Sequence, residues 1–183
     1  MKFGSGDLDL DQTDLHILSI LQENCKLPLA RIGEKVGLSA PAVIERIKKL
    51  EDGKIIAGYR AIIDARRLGC DVTAFIGVAV GHPRQVGDFE ERIARLDGVL
   101  ESHHVTGQHT MLLKVKTPNT STLEALISAI RSIEGVERTE TMVVLSTHAE
   151  RTQLPIRFDA THAGKRLRKS GERATSSSKE YEA

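Results

Sequence analysis

The residues best suited to chemistry lie between positions 39 and 50, where charged and apolar side chains recur at helical spacing. Val43, Ile47 and Leu50 mark the buried side of a predicted helix, and most of the charged residues fall on the opposite side. Such a face suits a groove of double-stranded DNA. The residues predicted to contact DNA are Ser39, Ala40, Pro41, Ile44, Glu45, Arg46, Lys48 and Lys49.

Each residue type in this set has its own reason to contact DNA. Arg46, Lys48 and Lys49 can meet phosphates, and Glu45 can accept a hydrogen bond from the amino group of cytosine. The small and apolar residues early in the helix can touch a thymine methyl group. The alternative interpretation is a basic face that is simply solvated.

The charge distribution shows that a nucleic-acid role must come from a local face. The chain of 183 residues holds 26 Lys+Arg and 25 Asp+Glu, and residues 1–60 hold nine of each sign. Residues 31–60, by contrast, hold seven basic and four acidic residues. Aromatic residues make up only 3% of the chain, which argues against a single-strand reader that stacks bases on aromatic rings.

Seven histidines raise the question of a metal or catalytic site. His103 and His109 could approach each other across a hairpin, but a metal site needs clustered ligands with supporting contacts. The sequence contains no G-x-S-x-G nucleophile motif, no P-loop and no G-x-G-x-x-G motif. We therefore expect no catalytic residues, no metal and no cofactor.

Helix signals at the N-terminus predict how the charged face is positioned. Asp11, with Asp14 three residues later, predicts a capping box for a helix over about residues 12–24. Pro28 begins a second, shorter helix. Gly37 suits a left-handed turn, and Ser39 is predicted to cap a third helix that ends at Gly53. Two helices joined by such a turn form a helix-turn-helix, whose second helix enters the major groove.

Residues 54–150 alternate strand and helix patterns. Residues 54–64 are predicted as a strand, 72–80 as an apolar central strand, and 99–105, 110–116 and 136–145 as the other strands. A helix covers 86–96, and a capping box at Ser121 and Glu124 predicts a second helix. The order β-α-β-β-α-β is that of a ferredoxin-like unit. A repeated motif, Leu96–Val99 and Ile133–Val136, is predicted to end each helix with a glycine C-cap.

The predicted fold class is α+β, with four segments. Residues 8–53 are a helix-turn-helix (winged-helix-like) domain, 54–71 a linker strand and loop, 72–154 a ferredoxin-like βαββαβ domain, and 155–183 a disordered basic tail. Because the predicted strands are too apolar for both sheet faces to meet water, we expect a second copy of the chain to cover one face.

Composition also indicates the compartment. No apolar run approaches the roughly 18–20 residues that a membrane span needs, and no secretory signal follows the N-terminal methionine. We therefore expect a cytoplasmic protein without a membrane partner. Cys25 and Cys70 are too few for a disulfide framework, and we expect reduced, at least partly buried side chains.

The assembled pattern resembles the Lrp/AsnC (leucine-responsive, or feast/famine) family of transcriptional regulators. The resemblance rests on four stretches between about Leu8 and Leu154: LDLDQTDLHILSILQEN, VGLSAPAVIERIKKLEDGKIIAGYRAIID, the VTG at 105–107 and VERTETMVVL at 136–145. It implies sequence-specific binding of double-stranded DNA and a homo-dimer that can assemble into tetramers or octamers. It also implies a small-molecule effector, commonly an amino acid.

The resemblance further implies an effector site near the turn after the second strand of the ferredoxin-like domain. Its residues would be Gly107, Gln108, His109 and Thr110, together with Thr139 and Thr141 on the last strand. The family turn often carries two acidic residues that hold an amino group, and this chain has neither. The threonines could equally be ordinary β-branched strand residues.

An enzyme is the alternative function. The sirohaem decarboxylases of an alternative haem pathway resemble Lrp/AsnC regulators and share the two-domain layout. Such an enzyme would need basic side chains around the acidic groups of a tetrapyrrole. The candidates here are His103, His104, His109, Arg131 and Arg138.

Overall fold

A computed structural model describes residues 10–157, which form two compact units. The described residues of the first unit are 10–60 and 151–157, and the second unit is 61–150. The division after residue 60 falls within the predicted linker. The prediction of a disordered tail falls almost wholly on residues outside the described part.

Three helices build the first unit: α1 (Gln12–Glu23), α2 (Leu29–Val36) and α3 (Ala40–Asp52). The predicted capping box of α1 is confirmed, since Asp11 and Asp14 each accept a hydrogen bond from the other's backbone N–H. Gly37 ends α2 with a φ of 72°, the left-handed conformation that the turn requires. Ser39 takes the N-cap position of α3, but its side chain makes no capping hydrogen bond.

The core of the first unit lies where the three helices meet. Its buried apolar residues are Ile17, Ile20, Ile32, Val36, Val43 and Leu50. Ile17 and Ile20 are the buried residues that α1 contributes, and Leu18 and Leu21 pack against this core while partly buried. Cys25 is exposed, contrary to prediction, because it follows the end of α1.

One prediction for the region after α3 was wrong. Residues 54–64 form no strand, because their backbone pairs with none of the four described strands. The segment is instead attached to α3 through Tyr59, whose hydroxyl donates to Glu51 over 2.9 Å. Burial and this carboxylate raise the pKa of Tyr59 to about 12.

The second unit is a four-stranded antiparallel sheet with two helices. Its strands are β1 (Val72–Val80), β2 (Val99–His104), β3 (Met111–Thr117) and β4 (Val136–Val143), in the order β2-β3-β1-β4. Its helices are α4 (Val86–Ile93) and α5 (Thr120–Arg131). This connectivity confirms the ferredoxin-like βαββαβ unit, and β1 is a central strand as predicted.

The helices cover one face of this sheet. Met111, Leu113 and Val115 alternate with half-buried neighbours and point into the core. The capping box of α5 was predicted two residues too late, because its N-cap is Asn119 and not Ser121. Gly98 and Gly135 have the expected left-handed φ of 88° and 89°, but they lie several residues beyond the helix ends.

The other sheet face, called the open face below, carries Phe75, Leu112, Lys114, Glu140 and Met142. In an antiparallel sheet, directly paired residues share a face. The register pairs Phe75 with both Lys114 and Met142. Met142 is 47% exposed. No described helix is long and apolar enough to cross a membrane.

Candidate nucleic-acid interface and effector region

The exposed side of α3 carries most of the residues predicted to contact DNA. Ile44 is 50% exposed, and Pro41, Glu45, Lys48 and Lys49 are also exposed. Ser39 is exposed at the N-cap, and Ala40 is half-buried. Val43 and Leu50 are fully buried on the opposite side. The helix therefore presents a mixed surface of cations, one carboxylate and small apolar groups, the combination that reads a major groove.

Arg46 differs from the other predicted contacts because its guanidinium faces α1. Its Nη1 lies 2.6 Å from Asp11 Oδ2 and 2.7 Å from Asp14 Oδ1. The Asp14 side chain is completely buried, and Lys49 Nζ lies 3.7 Å from its second oxygen. A buried carboxylate without a cation is costly, so this ion pair holds α3 against α1.

The pKa shifts agree with this ion pair. Burial alone would raise the pKa of Asp11, but the backbone N–H of Asp14 and the Arg46 guanidinium outweigh it and lower that pKa. Burial likewise opposes the charge on Arg46, yet the two carboxylates raise the pKa of Arg46 above its ordinary value. The stability that Asp11 contributes is therefore full at neutral pH and is lost as pH falls through the lowered pKa.

The prediction that Arg46 contacts phosphates stays a prediction, to which the structure adds a second role. The side chain is 30% exposed and pairs with two carboxylates of the first helix, so it also positions α3. The sequence did not show this role, because the spacing of residues along α3 does not reveal what α1 presents to it.

The predicted effector turn connects β2 and β3 in the second unit. Gly107 has a φ of 120°, in the region that favours glycine, and both Gly107 and Gln108 are exposed. Thr110 is fixed to β1 because its backbone N–H donates to Val78 over 2.9 Å. The Thr110 hydroxyl accepts from the backbone N–H of Val80 over 3.1 Å. Thr110 therefore holds the turn in place, while the tip of the turn faces solvent.

His109 folds back from this turn over the open face. Its ring covers Gly77, where an added Cβ would lie 2.5 Å from the ring carbon Cδ2. Its Nε2 lies 3.1 Å from Glu140 Oε2 on β4, and its Nδ1 is buried without a hydrogen-bond partner. The contact between His109 and Glu140 places the Glu140 carboxylate, which is 55% exposed, beside a turn that has no acidic residue.

Glu140 is the residue that sequence reasoning missed. The alternation Thr139-Glu140-Thr141 already implied that the glutamate faces away from the threonines. The register pairs Glu140 with Gly77, directly under the His109 ring, whereas Thr139 and Thr141 pair with Val78 and Ile76 of the buried core face. Thr139 and Thr141 thus lie on the sheet face opposite the His109 ring, and their part in an effector site stays a prediction.

The residues required by the enzyme alternative do not converge. His103 pairs with Leu112 on the open face, and His104 lies on the opposite face. Arg138 is on β4, at the other edge of the sheet, three interstrand spacings or about 14 Å from β2. His103 instead contacts Glu101 over 3.2 Å. Among residues 10–157, no group of three or more His, Cys, Asp or Glu could hold a metal ion.

Two family models match the two units. An AsnC-type helix-turn-helix domain matches residues 10–51, and an Lrp/AsnC ligand binding domain matches residues 73–154. The chain belongs to the Lrp/AsnC family. Its members are transcriptional regulators, so the DNA-binding function is confirmed and the enzyme alternative is not favoured.

Relatives and solved structures agree with this assignment. The HTH-type transcriptional regulator FL11 of Pyrococcus horikoshii is 39% identical over 151 residues, which cover 81% of this chain and 97% of the relative. AsnC of Escherichia coli superposes with a TM-score of 0.74 at 29% identity, covering 79% of this chain and 97% of AsnC. A Neisseria meningitidis regulator in complex with L-methionine has a TM-score of 0.77 at 29% identity, covering 80% and 96%.

Replacing Arg46 with alanine should destabilise the first unit by about 2 kcal/mol. The expected loss is below the roughly 3–5 kcal/mol of a fully buried broken pair, because Lys49 stands close enough to compensate in part. The loss in the free energy of unfolding is measured by urea denaturation, with circular dichroism as the signal. Lys48→Ala, on the exposed side of α3, is the control and should change stability by less than about 0.5 kcal/mol. Equal stability of both variants would contradict the structural role of Arg46.

Replacing Gly77 with alanine should destabilise the second unit by about 1–3 kcal/mol, because the new methyl group collides with the His109 ring. The double variant Gly77→Ala/His109→Ala should regain most of this loss, since it removes the ring. Thermal unfolding of the four proteins of this double-mutant cycle gives the coupling energy. If the stability losses of the two single variants simply add in the double variant, His109 does not pack on Gly77.

Proposed function

We propose that this regulator reads its DNA site through the exposed side of α3. The observation that carries the proposal is the orientation of α3. Val43, Arg46 and Leu50 face the other helices, while Ile44, Glu45 and Lys48 face solvent. Lys48 and Lys49 supply phosphate contacts, Glu45 reads a base pair, and Ser39, Ala40 and Pro41 approach the groove at the start of the helix. Such a regulator acts where the DNA is, and we expect the cytoplasm.

We further propose that two copies of the chain associate through the open face. Phe75, Leu112 and Met142 are apolar and lie together on a face that no described helix covers. A second subunit would remove this surface from water. A two-fold dimer would place its recognition helices on half-sites about one DNA turn, or a multiple of it, apart. Tetramers or octamers could then form from dimers.

The effector of this regulator is proposed to be an amino acid whose amino group pairs with Glu140. The methionine complex of the Neisseria meningitidis relative supports this class of ligand. Glu140 and His109 supply the charge and the hydrogen bonds that the turn itself lacks, and Gly107 and Gln108 present backbone and amide groups beside them. An effector that prefers one assembly state would change the DNA affinity by linkage.

DNA binding can be tested by comparing two substitutions on α3. Lys48→Ala should weaken binding to all sequences and reduce the slope of log affinity against log salt by about one. Glu45→Ala should instead change the preference at one base pair. Fluorescence anisotropy with duplexes selected from a random library measures both effects. Arg95→Ala, an exposed cation of the second unit, is the control. If Lys48→Ala and Arg95→Ala behave alike, α3 is not the contact surface.

The dimer can be tested by placing a charge on the open face. Met142→Glu should convert the dimer to a monomer, because two uncompensated carboxylates would be buried at the interface. Sedimentation equilibrium measures the mass. Leu145→Glu, at a residue 95% exposed beyond the end of β4, is the control and should leave the mass unchanged. A Met142→Glu variant with the wild-type mass would exclude this face as the interface.

The effector site can be tested with Glu140→Gln, which keeps the size of the side chain and removes its charge. A mixture of amino acids should change the DNA affinity of the wild-type protein but not that of the variant. Thr139→Val, on the opposite sheet face, should respond like the wild type. An unaltered response of Glu140→Gln would remove this carboxylate from effector binding.

A further inference from the structure

The proposed effector site has a partner for the amino group of its ligand, but no cation has yet been assigned to the ligand's carboxylate. Glu140 is 55% exposed and lies 3.1 Å from His109. His109 is the one titratable side chain in the turn between β2 and β3, and it is already directed at Glu140. A free amino acid carries charges of both signs, so a second charged group should lie close to Glu140.

The register of β4 places Arg138 on the same sheet face as Glu140. Arg138 pairs with Ala79 and Glu140 pairs with Gly77, so the two charged residues are two positions apart on one strand. Side chains at this spacing point to the same face and are separated by about 7 Å along the strand. The open face therefore carries a cation directly beside the Glu140 carboxylate.

The surface next to Arg138 also adjoins the turn between β2 and β3. Thr110, at the base of the turn, is attached to β1 on both sides of Ala79. Its backbone N–H donates to Val78 over 2.9 Å, and its hydroxyl accepts from the backbone N–H of Val80 over 3.1 Å. Ala79 carries only a methyl group on the open face. A small ligand above Ala79 would thus have the base of the turn on one side and Arg138 on the other.

A β-bulge lies immediately before Arg138. The register between β1 and β4 slips between Ala79 and Val80, which leaves Glu137 as the extra residue of β4. Glu137 packs over Gly81, where an added Cβ would collide with the Glu137 carboxylate. Bulges bend a strand and redirect a neighbouring side chain, and they are common next to functional sites. The irregularity in β4 thus sets the direction of the residue that follows it, Arg138.

The two lysines of the open face are less suited to hold the carboxylate of the same ligand. Lys114 already donates to two carboxylates. Lys116 pairs with Thr73, which is six residues or about 20 Å along β1 from Ala79. Arg138, by contrast, is exposed and forms no ion pair with any residue between positions 10 and 157.

We propose that Arg138 binds the α-carboxylate of the effector while Glu140 binds its amino group. The inference rests on the proposed effector site at Glu140 and assigns a specificity-determining residue to it. A guanidinium can donate two parallel hydrogen bonds to one carboxylate. The ligand class is therefore the free α-amino acids, in which a single carbon joins the two charged groups. Amines and amino-acid amides lack the carboxylate and bind weakly.

The test removes one charge from the protein and one from the ligand. The protein variant is Arg138→Gln, and the matched control is Arg131→Gln, at an exposed arginine of α5. Isothermal titration calorimetry of the full-length protein gives the Kd of two ligands. They are the amino acid that changes DNA affinity most among the twenty, and its α-amide.

The loss in affinity should depend on the ligand's carboxylate. Arg138→Gln should weaken binding of the amino acid by about 10- to 100-fold, the range expected for a hydrogen bond between charged groups. The same variant should change binding of the α-amide by less than about twofold, because the amide has no carboxylate to lose. Arg131→Gln should bind both ligands like the wild type. Unchanged melting temperatures exclude misfolding of either variant.

Three results would overturn the proposal alone. An equal loss for the amino acid and its amide would show that Arg138 does not meet the carboxylate. Equal losses in Arg138→Gln and Arg131→Gln would reduce the effect to net charge. Loss of binding in Glu140→Gln, without loss in Arg138→Gln, would leave the effector site without this residue. Failure of the effector site itself looks different, since the wild-type protein would then bind none of the twenty amino acids, and both proposals would fall.

Discussion

A buried carboxylate sets the geometry of the DNA-binding unit. Asp14 belongs to the capping box of α1, yet its side chain is fully shielded from water and needs a cation. Arg46 supplies that cation from α3 and is thereby turned towards α1. One ion pair thus fixes the start of α1, the rotation of α3 about its axis and the choice of residues that reach solvent. The exposed positions of Ile44, Glu45 and Lys48 follow from this constraint, together with the apolar core.

The close contact between the His109 ring and Gly77 has a comparable effect on the geometry of the second unit. Gly77 leaves room in the middle of β1 for the ring of His109, which comes from the turn between β2 and β3. The ring then meets Glu140 on β4. A carboxylate from a different strand therefore lies beside a turn that has no acidic residue of its own. In the proposed effector site, this carboxylate would pair with the amino group of the ligand.

The sequence predicted what depends on local signals. The α1 capping box, the Gly37 turn and the apolar β1 specify helices and strands through neighbours a few residues apart, and the structure confirms them. The features that the sequence did not predict concern distant partners. The ion pair of Arg46, the side of the sheet on which Thr139 and Thr141 lie, and the missing strand at 54–64 all depend on contacts between segments far apart in sequence. Periodicity alone does not identify those contacts.

The two units divide the proposed function: α3 reads a specific DNA sequence, and the second unit regulates this binding. The decisive measurement is competition binding of the full-length protein to the DNA upstream of its own gene, with and without the twenty amino acids. We expect binding that resists a large excess of unrelated duplex, weakens as salt rises, and changes when amino acids are added. If unrelated duplex competes in proportion to its concentration and amino acids have no effect, this division of function is wrong.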